Sequence, residues 1–486
     1  MKSLKLYYQE KPLTVILIAA FIVRMASVIF SKGFGWIDDQ FLIVEIAQSW
    51  VDGSDNYNWL PDSKDNNGPV KFSFFYTGII YYILSFLETI GITNPQGKMY
   101  FIRFVHAIWS LLIIKFGYQI SIILANKKSA KTIGWMLALL WLFPFLSVRT
   151  LVEFVSIPLV LWSILIIIDD KRNTKLLYWL VAGILLGLAF NIRLQTALLT
   201  GGIGLVIVLQ KKYLKLLFLS LGFALMVLIF QGAVDYYFWG YPFAQLIEYV
   251  GYNMVSASAY IVGPWYMYIT FILLVLLPPF SLAMIAGFAY SWKKLAIIFV
   301  PVLLFLIFHS YYPNKQERFV TTILPFIIIS GVIGWNSLLI KLNSLRWNKI
   351  NHYFLLAFWI INSIALIPVS VIYSKKARVE SMTYLSQYSN IDYFVIEDMK
   401  RNVLRFPPMF YLEKWVDYDA IMQGDNIKSF SKKKKWDINA NQPDFVLFFQ
   451  PDDIDNRVKK MKEVLPGLVY ETTIEPGNAD RVLHWL

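Results

Sequence analysis

Cysteine is absent from all 486 residues, so disulfides, thiol nucleophiles and Cys-based metal sites are excluded. Histidine is scarce: His106, His309, His352 and His484 are too widely spaced for a zinc signature. No repeat falls in the period range of solenoids, and no second half mirrors the first, so an inverted-repeat transporter is not suggested.

What is present is apolar. The chain is 57% hydrophobic with a mean hydropathy of +0.53, above the roughly 45–50% apolar usage of soluble domains. A spanning helix needs about 20 mostly apolar residues, and many such runs occur here, separated by short Lys/Arg clusters. The net charge of +13 would point to nucleic acid if it lined one soluble surface. Instead, most basic residues punctuate apolar runs, which reads as topogenic charge with no nucleic-acid partner.

The positive-inside rule orders the runs. With the N-terminus cytoplasmic, Lys2, Lys5 and Lys11 precede a first span from about Leu13 to Phe30. That run contains Arg24 and lacks an A-x-A exit, so it is retained rather than cleaved. A loop of residues 32–101 follows outside. Phe72–Ile90 is apolar enough to cross, but crossing would put Lys127, Lys128 and Lys131 outside and invert every later cluster. It is therefore expected to lie at the interface or re-enter. Roughly eleven spans result. Beyond them, residues 375–486 read as a small external α/β domain: YFVIED and PDFVLFF as strands, NRVKKMKEVL as a helix.

Five polar motifs then fall at the outer ends of spans: Asp38 and Asp39 in GWIDDQF, Arg149 and Glu153 in RTLVEF, Asn191 and Arg193 in NIRLQ, Asp235 in DYYFWGY, and Lys315, Glu317 and Arg318 in YYPNKQERF. Clustering on one side is what an active site requires. An enzyme outside the cytoplasm has no nucleoside triphosphate, so an activated sugar would arrive on a membrane lipid phosphate. Transfer then needs a carboxylate to take the acceptor's proton, with Asp38 or Asp39 as candidates. It also needs cations around the departing phosphate, with Lys315 and Arg318 foremost and Arg149 and Arg193 in support. A single phosphate leaves without metal help, so neither metal nor cofactor is expected.

Each motif has a plainer reading beside this one. The Asp pair suits an N-cap with a first-turn acid. Arg149 and Glu153, at i and i+4, suit a local ion pair. Lys315 and Arg318 suit headgroup snorkelling, and Arg24 and His106 suit hydrogen bonding inside the bundle. Tyr237 and Trp265 could stack on sugar rings, yet Tyr and Trp are also the residues of membrane interfaces. After the Asp pair, Ile43, Ile46, Ala47 and Trp50 recur at helical spacing opposite Glu45, Gln48, Ser49 and Asp52. That pattern predicts an amphipathic helix on the outer leaflet.

Together Asp38-Asp39 with Phe41, RTLVE, GLAFNIR, DYYFWGY, GPWYMY and Asn314-Lys315-Gln316-Glu317-Arg318-Phe319 resemble the integral-membrane mannosyltransferases of the GT-C class that act in asparagine-linked glycan and glycolipid-anchor synthesis, with their bacterial relatives. The resemblance spans about residues 15 to 335. Lysine, arginine and phenylalanine of the family's His-Lys-Glu-x-Arg-Phe signature align, whereas Asn314 and Gln316 replace its histidine and first glutamate, and Trp36-Ile37 replaces the His-Pro before the acidic pair. The resemblance implies an all-α polytopic GT-C fold, a polyprenyl-phosphate-linked mannose donor, inverting transfer to a glycan or glycolipid acceptor, and a first-loop acid as base. Glu153, Asp235, Glu317, Tyr237 and Trp265 are expected to touch substrate. A lipid or glycan transporter, or an enzyme moving an aminosugar or mannosylating protein, stays open as an alternative. Outward segments carry no N-x-S/T site, which favours a bacterial plasma membrane over the endoplasmic reticulum.

Overall fold

The computed structural model describes residues 2–61, 68–259, 262–438 and 441–482, leaving His484 outside the described residues. The chain divides into two compact units, residues 1–91 with 98–372, and residues 92–97 with 373–486.

The first unit is helical. Among the described residues, Pro12–Phe30, Pro95–Leu124, Tyr213–Trp239, Glu317–Leu342 and Leu345–Ser370 are long and apolar enough to cross a membrane. A sixth span is broken: Met267–Val275 and Phe280–Tyr290 meet at 119°. Pro278 and Pro279, which lack the N–H that would continue the helix, stand at the break. Shorter apolar helices, Phe74–Thr89, Val152–Ile168, Leu176–Ile192, Thr196–Leu209 and Ala296–Tyr311, fill out the bundle.

Burial ranks these elements. The most apolar window of Glu317–Leu342 is 78% buried, against 17% for Leu345–Ser370 and 11% for Tyr213–Trp239. The first is the central helix of the unit, and the other two present most of their side chains outward, as lipid-facing helices do. Small residues let the centre close up. A Cβ on Gly334 would stand 1.9 Å from the Gly287 carbonyl oxygen, and one on Gly287 would stand 2.0 Å from that of Gly331. Arg24 and His106 are held inside, Arg24 by Ser110 Oγ at 2.8 Å and the Ala138 carbonyl at 3.0 Å, His106 by Tyr76 and the Ile102 carbonyl.

The stretch after the Asp pair departs from the expected leaflet-lying amphipathic helix. Residues Gln40–Glu45 form a π-helical turn leading into helix Ile46–Val51. Most of its polar side is covered: Glu45, Gln48 and Ser49 are buried, and of the four polar residues Asp52 alone is exposed. Glu45 accepts from Gln40 Nε2 at 2.8 Å and Tyr57 OH at 3.1 Å. Gln48 donates to Asp52 and Glu88, each at 2.8 Å, and accepts from Lys98 at 3.0 Å. The loop thus supplies internal partners for the face that was expected to meet water. Helix Phe74–Thr89, capped by Ser73, buries Phe74, Thr77, Ile80, Leu84 and Leu87 along one side.

In the second unit, β1 (Tyr393–Asp398), β2 (Asp417–Met422) and β3 (Phe445–Phe448) form a parallel sheet of order β2-β1-β3. Central β1 is YFVIED and β3 lies within PDFVLFF. β2, DYDAIM, escapes a search for apolar runs because its alternating acids, the period-2 pattern of a partly exposed strand, break the run. Helices Ile427–Lys434 and Ile454–Lys462 share a core of Val395, Ile421, Ile427, Trp436 and Met461. Two buried carboxylates end β1: Asp398 takes a bidentate pair from Arg405 at 2.7 Å each, and Glu397 is gripped by Arg457.

Candidate active site

Charged groups separated by up to 280 residues meet at one place in the first unit. Trp36 has the extended backbone of an N-cap, and Asp38 and Asp39 occupy the first turn after it. Glu153 sits in the short helix Val152–Val155, Arg193 ends helix Leu176–Ile192, and Arg318 rides a 3-10 segment, Glu317–Ile323, that feeds the central helix.

Glu153 is the hub. Its carboxylate, fully buried, stands 3.0 Å from Arg193 Nη2 and 3.7 Å from Arg318 Nε. Arg318 also pairs with Asp38 and donates Nε to Gln316 Oε1 at 2.8 Å. Thr150 Oγ1 donates to the Asp39 carbonyl at 3.1 Å, and Thr322 Oγ1 to the Glu153 carbonyl at 3.2 Å, so the backbones carrying the acids are pinned to each other's neighbourhoods. The expected Arg149–Glu153 pair does not form. Instead Arg149 clamps the start of the first loop, donating to Gly33 O at 2.5 Å and Ser31 Oγ at 2.8 Å. Tertiary partners displaced the local i,i+4 option because Glu153 points into the bundle, where two guanidinium groups already stand.

The two aspartates differ sharply. The Asp38 side chain is 45% exposed, whereas Asp39 is 2% exposed. Burial, reinforced by the nearby Glu153 and Asp38 charges and opposed by Arg318, pushes the Asp39 carboxyl up to about 7. Asp39 therefore holds its proton well above the ordinary carboxylate range.

Other expected residues lie apart from this cluster. Lys315 turns its ammonium onto the end of helix Ala296–Tyr311, donating to the carbonyls of His309 at 2.6 Å, Ser310 at 2.8 Å and Tyr312. Its stem packs on the GPW turn, where a Cβ on Gly263 would stand 3.1 Å from Lys315 Cγ, and Val262 bridges Asn314. Asp235 is buried, accepting the Gln245 N–H at 2.9 Å. Glu317 is exposed, and Tyr237 and Trp265 lie at the surface, 81% and 61% exposed. Among the described residues, no group of three or more His, Asp or Glu side chains could hold a metal ion.

Sequence patterns did not single out Gln195, Tyr249 or Gln231. Gln195 Nε2 donates to the Tyr249 hydroxyl, which lies in the electrostatic reach of Arg193, Glu153 and Arg318. Gln231 Nε2 donates to Asn191 Oδ1 at 3.0 Å and Ser73 Oγ at 2.8 Å. Of the three, Gln195 alone belongs to a polar motif at the end of a span, NIRLQ. The others stand in helices whose periodicity carries no sign of a polar interior.

Known proteins resemble this chain in sequence and in fold. Residues 15–412 match the Alg9-like mannosyltransferase family. A stretch of 174 residues is 28% identical to GPI mannosyltransferase 3 of Kluyveromyces lactis, covering 33% of this chain and 29% of that relative's length. The fold is that of ArnT from Cupriavidus metallidurans bound to undecaprenyl phosphate: TM-score 0.60 at 12% identity over 96% of this chain and 97% of that one. The same protein in its apo state gives 0.59 at 11% identity. Since the family match covers residues 15–412, well over half of the chain, the chain belongs to the Alg9-like mannosyltransferase family.

Proposed function

We propose that the protein is a membrane glycosyltransferase that moves a hexose, mannose in the first instance, from a polyprenyl-phosphate carrier to a hydroxyl of a glycan or glycolipid acceptor on the non-cytoplasmic face, preferably of a bacterial plasma membrane. The observation that carries this reading is the cluster of Asp38, Asp39, Glu153, Arg193 and Arg318, assembled from four separate segments. Family membership supports the hexose, and the undecaprenyl phosphate held by the solved ArnT supports the carrier.

The chemistry follows from exposure. A base must touch the acceptor hydroxyl, and of the three carboxylates Asp38 is the one open to solvent. The acceptor oxygen bonds to the anomeric carbon as the bond from that carbon to the phosphate oxygen breaks. The acceptor proton passes to Asp38, and the electron pair leaves with the phosphate. Arg318 and Arg193, held by Glu153, face the charge that grows there. Arg149 and Lys315 act by positioning, the first on the loop that carries the base and the second on the turn that precedes Arg318. With a phosphomonoester as leaving group, the transfer is metal-independent.

Radiolabelled polyprenyl-phosphate mannose incubated with purified protein and a lipid extract tests the reading. Wild type is expected to move label to a new product, and Asp38→Asn to do so at least about 10²-fold more slowly, the scale of a lost general base. Transfer undiminished in Asp38→Asn removes it as base. Failure of the wild type with every lipid-phosphate hexose sinks the function itself.

A further inference from the structure

A second polar locus lies beside the charged cluster, in the sense that Asn191, which accepts from Gln231, is two residues from Arg193. Its walls come from two helical segments. One is Tyr213–Trp239, whose regular turns are interrupted by a π-helical stretch, Leu228–Ala233, at Gln231. Such π-turns are uncommon and concentrate at functional sites. The other is helix Ala244–Val255, which faces inward with Gln245 and Tyr249, one turn apart and therefore on one side. It faces outward with Ile247, Val250, Met254 and Val255.

Several side-chain atoms here are buried without a hydrogen-bond partner among the described residues. Gln195 Oε1, Gln231 Oε1 and Asp235 Oδ1 are acceptors, and Gln245 Nε2 and Trp239 Nε1 are donors. The other ends of these groups are in use. Gln195 donates to Tyr249, Gln231 donates to Asn191 and Ser73, Asp235 accepts from the Gln245 N–H, and Gln245 accepts from the Phe74 N–H at 3.0 Å. The side chains are therefore fixed, and their spare atoms are held in place. Burial pushes the Tyr249 phenol up, so it stays protonated. Its oxygen already accepts from Gln195, which leaves its O–H to donate.

A buried polar atom left unpaired is costly, and such sets persist where a partner completes them. The partner must both donate and accept, must be uncharged apart from what Asp235 can hold, and must adjoin a phosphate-sized anion at Arg193. A sugar ring meets all three conditions, since each hydroxyl donates one hydrogen bond and accepts others. We infer that Gln195, Gln231, Asp235, Gln245 and Tyr249, with Trp239, form the recognition site for the hydroxyls of the transferred hexose, and so set which sugar the enzyme accepts. The inference rests on the proposed glycosyl transfer, naming the part of that site which reads the sugar.

Deoxy donors test it. The full enzyme in detergent is assayed with the lipid-phosphate hexose that wild type transfers and with its 2-, 3-, 4- and 6-deoxy analogues. A site built to hydrogen-bond a hydroxyl rejects the analogue lacking it. Wild type is therefore expected to lose about 10²-fold or more in kcat/KM on at least one deoxy donor. In at least one of Gln231→Leu, Asp235→Asn and Tyr249→Phe, that preference should collapse toward unity at the ring position the lost group reads, while inhibition by free polyprenyl phosphate stays unchanged. A purely structural role would lower activity on every donor alike and leave the ratios intact. Intact ratios in all three variants, or a wild type indifferent to every deoxy donor, overturn the inference while transfer itself stands. A wild type that transfers no lipid-phosphate hexose removes the parent reading and this one together. If one variant loses polyprenyl-phosphate inhibition, the other two decide.

Discussion

Asp38 and Asp39 are adjacent in sequence and opposite in environment, and the difference has a thermodynamic signature. Asp39 is raised from 3.8 to about 7 in the folded protein. Below pH about 4 it is protonated folded or unfolded and contributes nothing. Between about 4 and 7 the unfolded chain has released this proton while the folded one retains it, so stability falls as pH rises through that window. The full effect, at about 1.4 kcal/mol per unit, is of order 4 kcal/mol. Asp39→Asn, which mimics the protonated acid, is expected to abolish this slope: thermal scans in detergent should show wild type losing stability relative to the variant from pH 5 to pH 8. Parallel profiles would mean that Asp39 stays ionised in the fold. The presence of two acids here was legible from GWIDDQF, as was the cationic NKQERF. What each would touch was not, because local spacing offered Glu153 to Arg149 while the bundle delivered Arg193 and Arg318. Nor were the partners of Lys315 legible: three residues from Arg318 in sequence, it donates to the carbonyls that end a helix.

At the scale of elements, the site depends on how closely helices Phe280–Tyr290 and Leu324–Leu342 approach, since the second begins where the Arg318 segment ends. Gly287, Gly331 and Gly334 leave no room for a side chain between the two backbones. Gly334→Val would drive a methyl-bearing carbon against the Gly287 carbonyl, and backbone cannot step aside as a flexible side chain would. The cost should exceed the 1–3 kcal/mol or so of ordinary overpacking. A lower melting temperature and lost transfer are expected together. Gly201→Ala, in helix Thr196–Leu209 with nothing within 4 Å of the added carbon, is the matched control and should keep both. Equal behaviour of the two variants would show that the crossing is looser than drawn. Hydropathy located these helices but not their breaks. The 119° bend stands at Pro278-Pro279, a pair that hydropathy does not weigh, and the π-turns at Gln40–Glu45 and Leu228–Ala233 carry buried polar side chains that leave no periodic trace.

For the whole molecule, the class of fold and two of the second unit's three strands were readable because lipid and a parallel β core both demand long or continuous apolar runs. Which face of the membrane each end meets rests on charge alone, and the missing cysteines make that testable without background. Lys128→Cys and Lys171→Cys sit in basic clusters assigned to the cytoplasm, and Tyr237→Cys and Lys432→Cys in segments assigned outside. All four positions are exposed on the protein. A membrane-impermeant maleimide applied to intact cells is expected to label the second pair at once and the first pair only after permeabilisation. The reverse pattern would put the acid–arginine cluster in the cytoplasm, where nucleotide sugars are available. The argument for a lipid-phosphate donor would then lose its premise even though the family stood. An added crossing by Phe74–Thr89 would give that same reverse pattern, since it inverts every cluster after it, and Asn56→Cys, exposed on the loop before that helix, separates the two: labelled from outside if only the later clusters are inverted, and protected if the whole topology is reversed.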